Sequence, residues 1–304
     1  MNIQQRLIDA ARHYAREHSN ADGLAVTPVP GLRMMCVESP RGKLHTAYRP
    51  LVCLILQGAK HLLVGKQAQL CTEGHSVIVS ADMPVTGQVI QATPAKPYVA
   101  VAVELDLALL RELADGIGGA APRAASRHQT LFLQDTDEAA LDCCIRLMRL
   151  IGRPDAIPVL HPGLLKELHF WLLAGPNGQH LKAMTAAESH PSRLAQALTL
   201  LRTEYRNRIT IERLAHAASM SLTAFYKHFK DLTSLTPGQY QKRLRLIEAR
   251  RLMLYQAANA STAAYEVGYE SVPQFNRDYR RLFGAPPLRD IQDERRATVT
   301  GTKT

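Results

Sequence analysis

The chain has 304 residues, 46% hydrophobic and 21% charged, enough to bury the cores of two domains and too apolar for a disordered polyelectrolyte. Its formal net charge of +10 is uneven: residues 188–304 hold 19 of the 37 basic and 11 of the 27 acidic side chains, a net +8 against +2 for residues 1–187, the bias that a polyanion-binding domain requires. No apolar run reaches the ~20 residues of a membrane span, the first residues lack the apolar core of a signal peptide, and five cysteines without paired spacing fit a reducing cytoplasm better than a disulfide scaffold.

In chain order, Ile3, Leu7, Ala10, Ala11 and Tyr14 form one stripe, which predicts an amphipathic helix over 2–18. Residues 21–30 break it. From about 24 to 105 the pattern changes to short apolar runs bounded by turn residues. Residues 33–37, 51–56, 60–64, 76–79 and 99–105 read as strands, with turns at Gly58, Gly65-Lys66 and Glu73-Gly74. So many short strands within about 80 residues indicate a small barrel or sandwich. Helical periodicity returns over 107–113, 136–151 and 161–174, with a Gly- and Ala-rich loop expected over 114–129. Leu141, Cys144, Ile145, Met148 and Ile151 form an apolar stripe on one helix, and Leu164, Leu165, Leu168, Trp171 and Leu172 form one on the next. These stripes serve either as core or as a dimer surface. Residues 184–191 read as a linker.

Two similar helix-turn-helix patterns follow, over 211–230 and 263–280. At a shift of 50 positions Ser221 falls on Ser271, Phe225 on Phe275, Phe229 on Tyr279, Lys230 on Arg280 and Leu232 on Leu282. At a shift of 49, Ala215 falls on Ala264, Ala218 on Val267, Ser219 on Gly268 and Met220 on Tyr269, so the second turn is one residue longer. Ser221 is expected to cap the second helix of the first copy. Ser271 with Gln274 is expected to form a capping box in the second copy, with Pro273 in the first turn and Gly268 supplying a permissive backbone. Leu222, Phe225, Phe229 and Leu232 are assigned inward in one copy, and Val272, Phe275, Tyr279 and Leu282 in the other. That leaves Thr223, Ala224, Tyr226, Lys227 and Lys230 facing out, and likewise Pro273, Gln274, Asn276, Arg277 and Arg280. With Ser221 and Ser271 at the helix starts, these residues are the candidate DNA contacts. Lys227 and Arg277 lie one turn into their helices, where long basic side chains reach guanine edges or phosphate. Between the copies, Thr236-Pro-Gly-Gln239 caps a helix that runs to about 254 through Arg243, Arg245, Arg250 and Arg251. Roughly 18 residues at 1.5 Å each give about 27 Å, a length able to hold two recognition helices about one DNA turn, ~34 Å, apart.

The stretch contains Leu214-Ala215, Met220-Ser221, Phe225-x-x-x-Phe229-Lys230, Thr236-Pro-x-x-Tyr240, Arg243-Leu244, Glu248-Ala249, Val267-Gly-Tyr-x-Ser271, Phe275-x-x-x-Tyr279 and Leu282-Phe-Gly284. On these motifs it resembles the DNA-binding domain of the AraC/XylS family of bacterial transcription regulators, over about a third of the chain. It departs from the family pattern at Ser234, where glycine is usual, at Pro286-Pro287 in place of Ser-Pro, and at Asp290 in place of tyrosine, which predicts a shortened last helix. The order of barrel, helical hairpin and DNA domain is similar to that of family members with a cupin-like N-terminal half.

The resemblance implies an α+β chain. Residues 1–183 would form a small cupin-like β-barrel with a helical hairpin, binding a small-molecule effector and forming a homodimer. Residues 184–191 would be a linker, 192–291 an all-α DNA-binding domain of two helix-turn-helix units joined by a long helix, and 292–304 a flexible tail. The implied function is sequence-specific regulation of transcription in the cytoplasm. Double-stranded DNA is the implied partner and RNA polymerase a further candidate, with no membrane association, cofactor or catalytic residue.

A metal-dependent cupin enzyme needs clustered ligands, commonly His-x-His. His45, His61, His75, His161 and His169 are scattered, so no metal site is expected. Cys36, Cys53 and Cys71 fall in or beside strands. They read either as small buried hydrophobes or as a sensor thiol for electrophiles or oxidants, which needs nearby positive charge and water; Arg49 stands four residues before Cys53. Cys143-Cys144 reads as helix packing. The alternatives left open are a DNA domain fused to a small enzyme, such as an alkyl-acceptor repair protein with a zinc-bound cysteine cluster, or to a thiol-based sensor, and a nucleoid-type binder without effector.

Overall fold

The computed structural model describes residues 2–64, 67–117, 130–186 and 189–300. The chain divides into two compact units, one of Met1–Leu44 and Tyr48–Ser192, the other of His45–Ala47 and Arg193–Thr304.

The first unit opens with α1 (Ile3–His18), capped by Asn2, whose side chain accepts from the Gln4 N–H at 3.2 Å. The strands β1 (Leu24–Val26), β2 (Leu32–Val37), β3 (Leu44–Tyr48), β4 (Leu51–Gln57), β5 (Ala59–Val64), β6 (Gln67–Thr72), β7 (His75–Val79), β8 (Met83–Gln91) and β9 (Tyr98–Glu104) follow. With β10 (Leu131–Asp135) they make a six-stranded sheet, β1-β2-β9-β4-β7-β10, and a four-stranded sheet, β3-β8-β5-β6. β4 is buried along its whole length, which explains its unbroken apolar sequence. Leu51, Cys53 and Ile55 share one core with Leu62 and Cys71 of the other sheet. Val52, Leu54 and Leu56 alternate to the opposite face, where α1 packs against β2, β4 and β9 through Leu7, Ile8, Ala11 and Ala15.

After β9 come α2 (Leu107–Ile117), α3 (Glu138–Arg149), α4 (Ile157–Ala174) and α5 (Gly178–Thr185). α3 lies between α1 and α4. Arg146 on α3 ties it to α4 by donating to both carboxylate oxygens of Glu167 at 2.7 and 2.9 Å, a bidentate pair. His169 is fully buried: its Nε2 accepts from the Asp106 N–H at 2.9 Å and its Nδ1 donates to the Leu165 carbonyl at 2.6 Å. Burial lowers its pKa; Nε2 holds the start of α2, while Nδ1 is tied back to its own helix α4.

The second unit holds α6 (His190–Thr203), α7 (Ile211–Ala217), α8 (Leu222–Thr233), α9 (Pro237–Tyr255), α10 (Ala260–Glu266), α11 (Val272–Phe283) and α12 (Pro287–Thr300). The capping box at Thr236 and Gln239 starts α9. One apolar cluster joins Leu246, Ala249, Leu252 and Met253 of α9 to Ala263, Ala264, Phe275 and Tyr279.

The structure changes several boundaries. β1, β3, β6, β8 and β10 extend the set of strands; Met83–Gln91 carries Pro84 and Gly87 inside it, which masks the apolar alternation. The helix expected from 161 begins at Ile157. The loop expected over 114–129 is helical as far as Ile117; 118–129 and the Gly65-Lys66 turn lie outside the described residues. α5 runs to Thr185 and α6 begins at His190, so residues 186–189 separate helices where a linker over 184–191 was expected; 187–188 lie outside the described residues.

α12 continues to Thr300, past residue 292 where the tail was expected to begin. The reason is Arg250, buried on α9, which donates to Asp290 Oδ2 at 2.8 Å and to Glu294 Oε2 at 2.8 Å. The Tyr279 hydroxyl donates to the same Asp290 oxygen at 2.7 Å, and Arg295 reaches the Met253 carbonyl at 3.1 Å. Asp290, expected to weaken the helix, is its anchor. Residues 301–304 lie outside the described residues.

The two copies end their recognition helices alike, with left-handed backbone at Ser234 (φ 59°) after α8 and at Gly284 (φ 85°) after α11. Only the first strains a side chain. Ser234→Gly is expected to stabilise the second unit by about 0.5–1 kcal/mol, after allowing for the greater freedom of glycine in the unfolded chain. Urea unfolding of the full chain checks this by a raised midpoint with unchanged slope.

Candidate nucleic-acid interface

Both turns are built on one hydrogen-bond pattern. In the first, Ser219 takes φ 51° and the Met220 N–H donates to the Ala215 carbonyl at 2.9 Å. In the second, Gly268 takes φ 88° and the Tyr269 N–H donates to the Ala264 carbonyl at 2.9 Å. Glycine is needed twice over at 268, since a Cβ there would stand 2.0 Å from the Arg206 carbonyl oxygen.

α8 begins at Ser221, whose hydroxyl accepts from the Ala224 N–H at 3.4 Å. Phe225, Phe229 and Leu232 are buried. Leu222, assigned inward, is instead 45% exposed: it opens the helix one turn ahead of Phe225, beyond the reach of the packed helices, and adds an apolar side chain to the outer face. α11 starts differently. Ser271 adopts φ −141° and ψ 116° where Ser221 has φ −66° and ψ 156°, and its side chain makes no cap. The expected capping box with Gln274 is therefore absent. Pro273 relieves the loss, since it brings no N–H that needs an acceptor. Phe275 and Tyr279 are buried, and Val272 and Leu282 pack partly against the same cluster. Asp278, also buried, faces Lys242 Nζ at 3.0 Å.

On the outer faces, Ser221, Thr223, Tyr226, Lys227 and Lys230 are exposed and Ala224 is half-buried; Pro273, Gln274, Asn276, Arg277 and Arg280 are exposed and Ser271 is half-buried. Lys227, Lys230, Arg277 and Arg280 have no ion-pair partner among the described residues. Several other arginines of the unit are paired: Arg213 with Glu204 at 2.6 Å, Arg251 with Glu248 at 2.8 Å, and Arg250 as above.

Arg245 is the residue that sequence reasoning missed, reading it only as one of several connector cations. Its Nε donates to the Tyr205 carbonyl at 2.6 Å, Nη1 to the Gly268 carbonyl at 2.8 Å, and Nη2 to the Arg206 and Asn207 carbonyls at 3.0 Å each. Gln241, one turn earlier on α9, donates to the Tyr205 and Asn207 carbonyls at 3.0 and 2.7 Å. The connector helix thus holds the loop that leads into the first copy and the turn of the second. A signal existed in the sequence: Arg245 lies on the same side of α9 as Gln241, four residues earlier.

The cysteines belong to the first unit. Cys53, Cys71, Cys143 and Cys144 are buried and Cys36 is half-buried, all as free thiols. Burial pushes the Cys36 thiol up, and Cys71 up to about 11, the reverse of what a reactive thiolate needs. Arg49 reaches Glu104 at 3.4 Å, while Cys53 lies 3.8 Å from the buried Lys60 Nζ. Among the described residues, no group of three or more His, Cys, Asp or Glu side chains is placed to hold a metal ion, and no helix is long and apolar enough to cross a membrane.

Comparison with known proteins matches residues 28–180 to the family described as AraC-type transcriptional regulator N-terminus, and residues 214–291 to a helix-turn-helix domain family. The transcriptional activator RhaS of Citrobacter koseri is 34% identical over 116 residues, and RhaS of Salmonella paratyphi B 32% over the same length. Each match covers 38% of this chain and 41% of the relative, so the chain spans well under half the length of these curated relatives. Among solved structures, ToxT from Vibrio cholerae with a bound unsaturated fatty acid superimposes with TM-score 0.58 at 11% identity, covering 84% of this chain and 92% of ToxT. A further ToxT structure, from Vibrio cholerae in a P21 crystal form, gives TM-score 0.57 at 12% identity, covering 86% and 96%.

Arg245→Met keeps the aliphatic stem and strips four carbonyls of their charged donor. It is expected to destabilise the second unit by about 3 kcal/mol. Amide hydrogen exchange should show its first loosening at 205–207 and 268. Unchanged protection there would refute the bracing role.

Proposed function

We propose, from the premise that the chain belongs to the AraC-type family of transcription regulators, that it is a sequence-specific DNA-binding regulator whose first unit answers to a small-molecule effector. One observation carries the reading: Lys227, Lys230, Arg277 and Arg280 stand exposed and without ion-pair partners among the described residues, on the outer faces of two repeated helices. A duplex supplies the partners these cations lack, with phosphates for charge and guanine O6/N7 for bidentate contact. The 19 residues of α9 rise about 28 Å, which suits two readers about one DNA turn apart. Ser221, Thr223, Ala224 and Tyr226 join Lys227 and Lys230 in the first reader; Ser271, Pro273, Gln274 and Asn276 join Arg277 and Arg280 in the second. Pro273 and the uncapped Ser271 leave the second with fewer base-reading groups, so it relies more on backbone and shape.

The matched N-terminal family and the fatty acid bound by ToxT support a small-molecule effector. Exposed Val159, Leu160, Phe170 and Trp171 on α4 support a homodimer through that helix. Free cysteines and a DNA ligand support a cytoplasmic site of action. RNA polymerase is the proposed further partner, and the reading assigns the chain no catalytic step.

Footprinting with the full chain is expected to show paired major-groove segments about 10 base pairs apart. Lys227→Ala should relax sequence preference in one segment and Arg277→Ala in the other, each by about 1–3 kcal/mol where a base is read. A contact to phosphate alone would weaken all sequences alike and lower the salt slope by about one. Both variants losing the same segment would sink the two-reader geometry. Sedimentation of the full chain at tens of micromolar should give a dimer; a monomer there would remove α4 as the interface.

A further inference from the structure

β5 carries an anomaly. Lys60 is 4% exposed, and its register neighbours are Cys71 on β6 and Val89 on β8, both members of the apolar core between the sheets. A strand that alternates with the pleat places Lys60 on the same side as Leu62, facing that core. Its Nζ lies 3.8 Å from Cys53 Sγ, which comes from the opposite sheet, and 5.6 Å from the centroid of the Tyr98 ring. No carboxylate pairs with it among the described residues. The Tyr98 side chain is fully buried, and its hydroxyl has no hydrogen-bond partner of standard geometry. The Lys60 ammonium, with the Tyr98 hydroxyl and the Cys53 thiol beside it, thus sits in a low-dielectric interior where a charge without a carboxylate is costly.

Burial opposes the charge on Lys60, while Cys53, Tyr48 and Tyr98 beside it act to raise its pKa. A lysine in its charged form offers no free electron pair to a carbonyl compound. What it offers is an ion pair. We propose that Lys60 and Tyr98 anchor an anion-binding site inside the double sheet, and that its ligand, the effector, is a compact apolar monocarboxylate. This rests on the effector reading above and narrows its chemical class. One carboxylate would take the Lys60 ammonium through one oxygen and the Tyr98 hydroxyl as a second donor, satisfying both at once. A phosphate or a dianion would bring a second charge that this single cation does not balance. Besides Tyr48, whose hydroxyl also faces Lys60, the neighbours Leu62, Val77 and Val85 are apolar and fit a hydrocarbon body. Met83, fully buried in the same cluster, has the adaptable side chain that lets such a core open around a ligand.

The test is calorimetric titration of the full chain with phenylacetate and hexanoate, each beside its neutral amide. The acids are expected to bind at least about tenfold more tightly than the amides. Lys60→Met should abolish that preference, and Tyr98→Phe should weaken the acids severalfold while leaving the amides unchanged. Equal binding of acid and amide, no binding of either acid, or an acid preference that survives in Lys60→Met would each overturn the assignment. Should Lys60→Met fail to fold, Tyr98→Phe and the acid–amide comparison in the unmodified chain decide the matter. Footprinting of the unliganded chain separates the two readings: a footprint without acid binding removes the anion site alone, and acid binding without any footprint removes the regulator reading alone.

Discussion

The second unit depends on a guanidinium directed at carbonyls. Arg245 donates to four of them, three in the loop at 205–207 and one at Gly268. Such charge-assisted bonds are roughly twice as strong as neutral ones, and the four acceptors belong to two segments far apart in sequence. A helix between two recognition units could act as a flexible tether. Here its own side chains grip the approach to the first unit and the corner of the second, so neither copy moves without breaking a bond to α9. The Gly268 backbone sits so close to Arg206 that no side chain fits between them. The brace and the glycine are therefore one device, since the close approach brings the carbonyls within reach of one side chain.

The two copies share a pattern and diverge in detail. Phe225 and Phe229 repeat as Phe275 and Tyr279, and the tyrosine adds a hydroxyl that reaches Asp290. Ser234 holds a left-handed cap where Gly284 does so freely. Ser221 caps its helix and Ser271 does not. The first copy thus puts its polar side chains into local turns, while the second puts them into ties to α9 and α12.

How far the sequence could be read follows from which contacts are local. The recognition helices were legible because their apolar spacing and their repetition are properties of adjacent residues. β4 was legible because both of its faces are buried and its sequence is uniformly apolar. β8 was hidden by its Pro and Gly, and Leu222 was misplaced because periodicity does not tell where a packed face ends. The expected cap at Ser271 failed on a backbone angle that composition does not encode. Asp290 looked like a flaw as long as its partner Arg250, forty residues away, was out of view. Lys60 lay within a strand that was expected, yet a basic residue in an alternating run reads as solvent-facing. Only the opposing sheet, with Cys53 and Tyr98, shows that it points inward.

The buried tie between Arg250, Asp290 and Glu294 separates the responses of the two kinds of cation in this unit to ionic strength. Mobile ions screen exposed charges within about 10 Å at 0.1 M salt but reach buried pairs poorly. Lys227, Lys230, Arg277 and Arg280 lie in water, and contacts they make to a polyanion weaken steeply as salt displaces them. Arg250 is 7% exposed and keeps its carboxylates. On the proposed reading, raising the salt would therefore release a bound duplex long before it loosened the helices that carry these cations, leaving an intact reader without its text.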